Sequence, residues 1–169
     1  MKKRTLAFGF FLFIGLIISG ILNSCSKSPA CWGDDENKGI IEKYYQIHDF
    51  PMCIETYVNE HGKLIVKSSV ELMSITDSNC YNLPEAGYSS YPPDIDFNAY
   101  TLLGFWSTGQ CETKFIREIL INETDKKYTY TITVKDCGTC KSMRYDANLV
   151  LVPKLPDGFM VDFILEDKD

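Results

Sequence analysis

From Tyr128 to Lys135, apolar and threonine side chains alternate without a break. Tyr128, Tyr130, Ile132 and Val134 share one parity, and Thr129, Thr131 and Thr133 the other. A period of two marks a strand with one buried face. Phe115 to Ile121 is similarly apolar, and Asn122–Lys127 between the two runs predicts a hairpin with Asn122 set near Tyr128. Tyr100 to Trp106 reads as a further strand, and Asn148–Pro153 and Phe159–Leu165 as a second hairpin over Leu155-Pro156-Asp157-Gly158. Nearer the start, Cys53–Val58 and Lys63–Lys67 flank Asn59-Glu60-His61-Gly62, a four-residue turn ending in glycine, and predict a third. Ser68 followed by Glu71 has capping-box spacing for a short helix to about Thr76. Gly39–Phe50 suits either a short amphipathic helix or a strand, and the Pro- and Ser-punctuated stretch Asp77–Asp96 reads as a loop. The class is mainly β (α+β): an antiparallel sheet built of hairpins with one or two short helices, in one domain over residues 39–169.

The opening of the chain follows a different pattern. Met1-Lys2-Lys3-Arg4 is basic, and Leu6 to Leu22 carries no charge over 17 residues. A basic start, an apolar run and a small-residue cut site form the layout of a secretory signal. The run is at the lower limit for a spanning helix and holds Gly9, Gly15 and Gly20. It ends in Leu22-Asn23-Ser24-Cys25, which resembles the lipobox of bacterial lipoproteins, with Asn23 where that motif prefers Ala, Ser or Thr. Residues 1–24 are therefore expected to be a signal peptide, Cys25 the lipidated (palmitate-bearing) residue, and residues 25–38 a flexible polar tether. Acyl chains on Cys25 would hold the domain at the membrane, each buried CH₂ adding ~0.8 kcal/mol.

Charge narrows the partners. The leader removes three of the 17 basic residues and none of the 23 acidic ones, so the exported part carries −9 against −6 for the whole chain. Nucleic-acid binding draws most of its affinity from Lys and Arg on phosphates, so no nucleic acid is expected. The same deficit argues against a polybasic membrane contact.

Once Cys25 is set aside, six cysteines remain: Cys31, Cys53, Cys80, Cys111, Cys137 and Cys140. An even number in a small exported domain points to disulfides, with 15 pairings open. The Asn122–Tyr128 hairpin brings Cys111 opposite Cys137–Cys140, which predicts a bridge between Cys111 and one of them. Cys137-Gly138-Thr139-Cys140 also has the form of a redox CxxC. The residues after Cys140, however, read as strands rather than the helix-and-strand units of thioredoxin-like proteins. Three thiolates without a second paired motif do not make the usual four-ligand zinc site, so no metal or other cofactor is expected. His48 and His61 have no nucleophile in a known arrangement, GxSxG is absent, and no catalytic residue is assigned. Tyr81, Tyr88 and Tyr91, beside Pro92 and Pro93 and with Trp106 further on, form a candidate aromatic binding surface.

Ile95-Asp96-Phe97, the Tyr100–Trp106 strand followed by Gly109, the Tyr/Thr-rich strand, Val150-Leu151-Val152-Pro153-Lys154 and the closing Phe159–Leu165 strand together resemble uncharacterised lipoproteins of the Bacteroidetes type. More distantly they resemble the C-terminal domain of PrcB-type proteins, which are associated with protease complexes. Ser107-Thr108-Gly109-Gln110 stands where that domain usually has Thr-Gly-Gly-Tyr, and the cysteines are not part of its pattern. The resemblance implies a non-enzymatic protein-binding domain. The expected function is that of a lipid-anchored envelope protein (outer membrane, periplasmic or surface-facing) that binds another envelope protein. The alternative is a thiol–disulfide redox protein using Cys137 and Cys140.

Disulfide mapping separates these. Three bridges that survive mild reduction, one joining Cys111 to Cys137 or Cys140, mark the cysteines as scaffold; a labile Cys137–Cys140 bond marks a redox protein.

Overall fold

A computed structural model describes residues 34–76, 88–89, 91–110, 112–136 and 142–168. The chain is mainly β, as expected. In order, the elements are β1 (Glu36–Gly39), β2 (Lys43–Tyr45), a 3₁₀ turn (Ile47–Asp49), α1 (Met52–His61), β3 (Lys63–Val66), α2 (Ser69–Ile75), β4 (Tyr100–Phe105), β5 (Ser107–Gln110), β6 (Lys114–Asn122), β7 (Lys127–Lys135), β8 (Met143–Asp146), β9 (Leu149–Pro153) and β10 (Met160–Lys168).

The strands form two four-stranded sheets and one two-stranded ribbon. One sheet has the order β1-β6-β7-β10 and the other β2-β9-β4-β3, while β5 pairs with β8. Residue parity shows how the sheets stack. Leu103, Phe105, Val150 and Val152 meet Phe115, Ile119, Tyr128, Tyr130, Ile132 and Val134 in one cluster. The opposite parity of the same strands, Leu102, Leu149 and Leu151 with Leu64 and Val66, meets Ile54, Val58 and Leu72 of the helices. The fold thus has three layers, with the β2-β9-β4-β3 sheet in the middle. Both faces of β4 and β9 are covered, which explains why these strands read as continuous apolar runs while β7, with one covered face, alternates.

The β6–β7 hairpin is present, with Asn122 opposite Lys127. The short helix is present as well: the Ser68 hydroxyl accepts from the Glu71 amide at 3.2 Å. Glu71 in return accepts from the amide of Lys67, one residue earlier than a capping box requires.

Three expectations are corrected. Cys53–Val58 is not a strand but the middle of α1, so the proposed hairpin with Lys63–Val66 does not form. Ile54 and Val58, four residues apart and fully buried, face the central sheet as a helical stripe. Asn59–His61 is the last turn of α1, and Gly62, at φ 74°, closes it by donating its N–H to the Val58 carbonyl. Lys63–Val66 then pairs with β4 instead. Strands β9 and β10 both exist but do not form a hairpin. The Leu155–Gly158 segment crosses between sheets, so that β9 pairs antiparallel with β4 and β2 whereas β10 lies parallel to β7. The segment 36–38, expected to be the end of a flexible tether, is not one. Glu36–Gly39 is a strand parallel to β6, where a flexible polar tether and a purely antiparallel sheet were expected.

One structural device joins the layers. The β4–β9 and β5–β8 ladders keep one antiparallel register across a gap: Tyr100 pairs with Pro153 on one side of it and Ser107 with Asp146 on the other. The ladder bends between Phe105 and Ser107 on one strand and at Ala147–Asn148 on the other. Asn148 sits at φ 43°, a conformation Asn tolerates better than most residues. Its side-chain amide donates to Phe105 O, Ser107 Oγ and Asp146 O at 2.6–3.1 Å, which pins both strands at the bend.

Candidate functional site

The two sheets meet along two flanks of opposite character. On the β1/β2 side the inter-sheet space is closed by charge. Arg117 follows Phe115 and precedes Ile119 at the same parity of β6, so the strand turns it inward, and its side chain is 0% exposed. Its Nε donates to Asn148 Oδ1 at 2.7 Å, and Nη2 reaches Asp146 at 3.0 Å and Asp35 at 3.2 Å. The Tyr44 ring covers the guanidinium at 3.9 Å, and the Tyr44 hydroxyl donates to Asp146 at 2.7 Å. Arg144, from β8, grips Asp35 through both terminal nitrogens at 2.7 and 3.1 Å. Asp35 also accepts from the Phe115 amide. Among the described residues, only Arg117 Nη1 and Glu112 Oε2 are buried side-chain polar atoms without a hydrogen-bond partner.

Titration follows from these contacts. Burial alone would raise the pKa of Asp35. The hydrogen bonds from Arg144 and the Phe115 amide, with the charges of Arg117 and Arg144, outweigh it and hold the carboxyl below the ordinary value. Burial pushes Tyr44 and Tyr130 well above the usual phenol range, so both stay neutral. No nucleophile enters this network, and its charged groups are paired with one another except at Arg117 Nη1; it is a clamp rather than a reaction centre.

The β3/β10 flank is open. By register, Lys63 and Ile65 of β3 stand opposite Phe105 and Leu103 and so face the inter-sheet space. Phe163 and Leu165 of β10 pair with Tyr130 and Ile132 and face the same space from the other sheet. Ile65 remains 40% exposed and Leu165 52%, and Lys63 Nζ lies 5.3 Å above the Phe163 ring. The apolar layer therefore reaches the surface between two edge strands.

The backbone of β10 is equally open. The Met160 N–H donates to Lys126 O, so even-numbered residues turn their peptide groups toward β7. Alternation then directs the N–H and C=O of Val161, Phe163, Leu165 and Asp167 outward. Among the described residues, nothing pairs with that side of β10. The other three sheet edges are three or four residues long, whereas β10 runs for nine.

The other residues singled out in the sequence are placed as follows. Cys25, Cys31, Cys80, Cys111, Cys137, Cys140 and Tyr81 lie outside the described residues. Cys53, on α1, is disulfide-bonded. Gln110 N donates to Asp136 Oδ1 at 2.9 Å, so the residues just before Cys111 and Cys137 are adjacent. Strand β8 begins three residues after Cys140. Tyr88 is committed internally: its hydroxyl bonds Glu55 and its ring meets His48 edge-on at 4.9 Å. Tyr91 is 70% exposed. Trp106 stacks on Tyr145 at 5.5 Å, away from Tyr88. His61, expected as a solvated turn residue, is exposed but stands at the end of α1, where its ring stacks on Tyr57. No group of three His, Cys, Asp or Glu among the described residues is placed to hold a metal. A shallow groove of about 750 Å³ between α2 and the Asp94–Asn98 turn mixes Lys67 and Lys154 with Asp94 and Asp96 and has no preference of charge.

The sequence reading missed both flanks. The parity of Phe115, Arg117 and Ile119 was the available signal for a buried arginine. The open flank had none, because it depends on which strands become neighbours. Comparison with protein-family models, curated proteins and solved structures finds no match for the chain.

The Asp35 carboxyl is held below its unfolded value of about 4, so its stabilisation is full above that pH and fades as pH falls through the lowered folded value. At neutral pH, Asp35→Asn is expected to lose about 3 kcal/mol, the scale for removing one partner of a buried charge. Its urea midpoint should also fall less than the parent's between about pH 5 and pH 2.

Proposed function

We propose that this protein is a lipid-anchored component of the bacterial envelope, facing the periplasm or the outer surface, and that it binds without catalysis. It accepts an extended segment of another envelope protein along the free edge of β10. The observation that carries this is the nine-residue strand with an open backbone edge beside exposed Ile65 and Leu165. Proteins normally shorten or cover such edges, as this one does at β1, β2 and β3. An added strand would meet four outward N–H and four outward C=O groups, each bond contributing about 0.5–1.5 kcal/mol net. Its alternate side chains would cover Phe163 and Leu165 and close the inter-sheet layer. The leader, the lipobox-like Leu22–Cys25 and the resemblance to PrcB-type C-terminal domains support the same reading. The thiol–disulfide alternative would call for a helix opened by the CxxC to lower a thiolate pKa, whereas strand β8 begins three residues after Cys140.

Proline tests the edge, because where φ suits it removes one backbone N–H, here together with the Leu165 side chain that the docked strand would cover. Leu165→Pro deletes an outward donor and should leave the thermal midpoint within a few degrees of the parent. Ile164→Pro deletes a donor facing β7 and should unfold the edge. A photo-crosslinker at the exposed Ile164 position is expected to give one adduct with an envelope protein in cells, lost when Leu165→Pro is added. An adduct unchanged by that substitution, or none in the parent, refutes edge docking. Cys25→Ser should abolish palmitate labelling and release the domain from the membrane fraction; retention with label would remove Cys25 as the anchor.

A further inference from the structure

An edge able to accept a foreign strand also meets copies of itself. Resting on the edge-docking reading, we propose that, while no partner segment is bound, β10 pairs antiparallel with β10 of a second copy about a twofold axis at Phe163. This joins two four-stranded sheets into one. A twofold contact must be self-complementary, and β10 meets that condition in one register. Its outward N–H and C=O groups belong to odd-numbered residues, so odd-numbered residues must stand opposite one another. Centred on Phe163, each copy's Val161 faces the other's Leu165, and every such pair exchanges both hydrogen bonds. Val161 and Phe163 pack on the inter-sheet cluster, and Leu165 beside them is 52% exposed until the second strand covers it. On the outer face Asp162 stands opposite Ile164, and Met160 opposite Glu166, so no like charges meet. Nothing is required of those acids. Asp162 is engaged by Lys127 and Glu166 by Thr133 of its own sheet, both at 3.3 Å.

The neighbouring registers each fail on one face. Centred on Ile164, Asp162 opposes Glu166 twice; centred on Asp162, that carboxylate opposes its own copy. Centred on Leu165, Phe163 meets Asp167 on the inner side. Two repulsions act against the favoured register: both chains are acidic, and Lys63 of each lies over its Phe163 ring beside the axis. Salt screens both. The association therefore strengthens with ionic strength, the reverse of pairing through opposite charges. Confinement of both copies to one membrane raises their effective concentration.

The test is sedimentation of the full-length protein in a non-ionic detergent at micromolar concentration, in low and in high salt. A photo-crosslinker at the exposed Ile164 position is added in an equal mixture of isotope-labelled and unlabelled protein. A dimer is expected, tighter in high salt, with mixed-isotope crosslinks inside β10. Leu165→Pro should weaken it at least tenfold, and so should Leu165→Lys, which keeps every backbone donor but sets a cation against Val161. Asp162→Lys should leave the high-salt affinity within about twofold, because Asp162 faces Ile164. A tenfold gain instead would place Asp162 against Glu166 and overturn the Phe163-centred register. A monomer at every salt concentration, or a dimer indifferent to both Leu165 substitutions, overturns the proposal. If the parent is monomeric while its cellular adduct remains sensitive to Leu165→Pro, self-pairing falls and the docking edge stands. If the dimer forms and cells yield only the self-adduct, the envelope partner falls and self-pairing stands.

Discussion

A guanidinium removed from water needs compensating charge and hydrogen bonds, and Arg117 obtains them from three separate parts of the chain: Asp35 before β1, Asp146 at the end of β8, and Asn148 at the bend into β9. Satisfying it therefore fixes where the N-terminal strand lies, how the long ladder bends and how the two sheets are set at that flank. Tyr44 adds the lid, covering the cation with its ring while donating its hydroxyl to Asp146. Such buried groups add little net stability compared with apolar packing. Their effect here is positional, since a shift in any contributor leaves a charge stranded.

The consequence is an asymmetric sandwich. The same inter-sheet layer is sealed by ions and hydrogen bonds on one side and left apolar and ajar on the other. Phe105 packs edge-to-face on Tyr130 and Phe163, whose rings also meet at a tilt, so the open flank is continuous with the core. A segment docking there would extend a packed interior instead of covering a separate patch.

Much of this fold was legible along the chain, for reasons that can be named. Strand β7 announces itself because one face is covered and the other wet, and β4 and β9 because both faces are covered. Helix α1 was hidden because Ile54 and Val58 satisfy a four-residue spacing inside a stretch too short to separate helix from strand, with a glycine that ends either one. The β9–β10 hairpin was misread because a tight turn between strands says nothing about which sheet each strand joins. Asp35 looked like one acid among three, and only the neighbours brought from 80 or more residues away distinguish it. The open flank follows from strand order, which is a property of the whole assembly and not of any local pattern.

The parallel pairing of β1 with β6 governs how the molecule responds to load. A pull applied at residue 34 along the strand direction stretches the whole Glu36–Gly39 ladder in shear, with the Asp35 carboxylate at its leading end gripped by two arginines. Shear makes such bonds fail together, whereas a perpendicular pull would peel them one at a time. In a domain tethered through that end, the N-terminal attachment would be the mechanically stiff side, and the β10 edge would be free to move as a whole with whatever it holds.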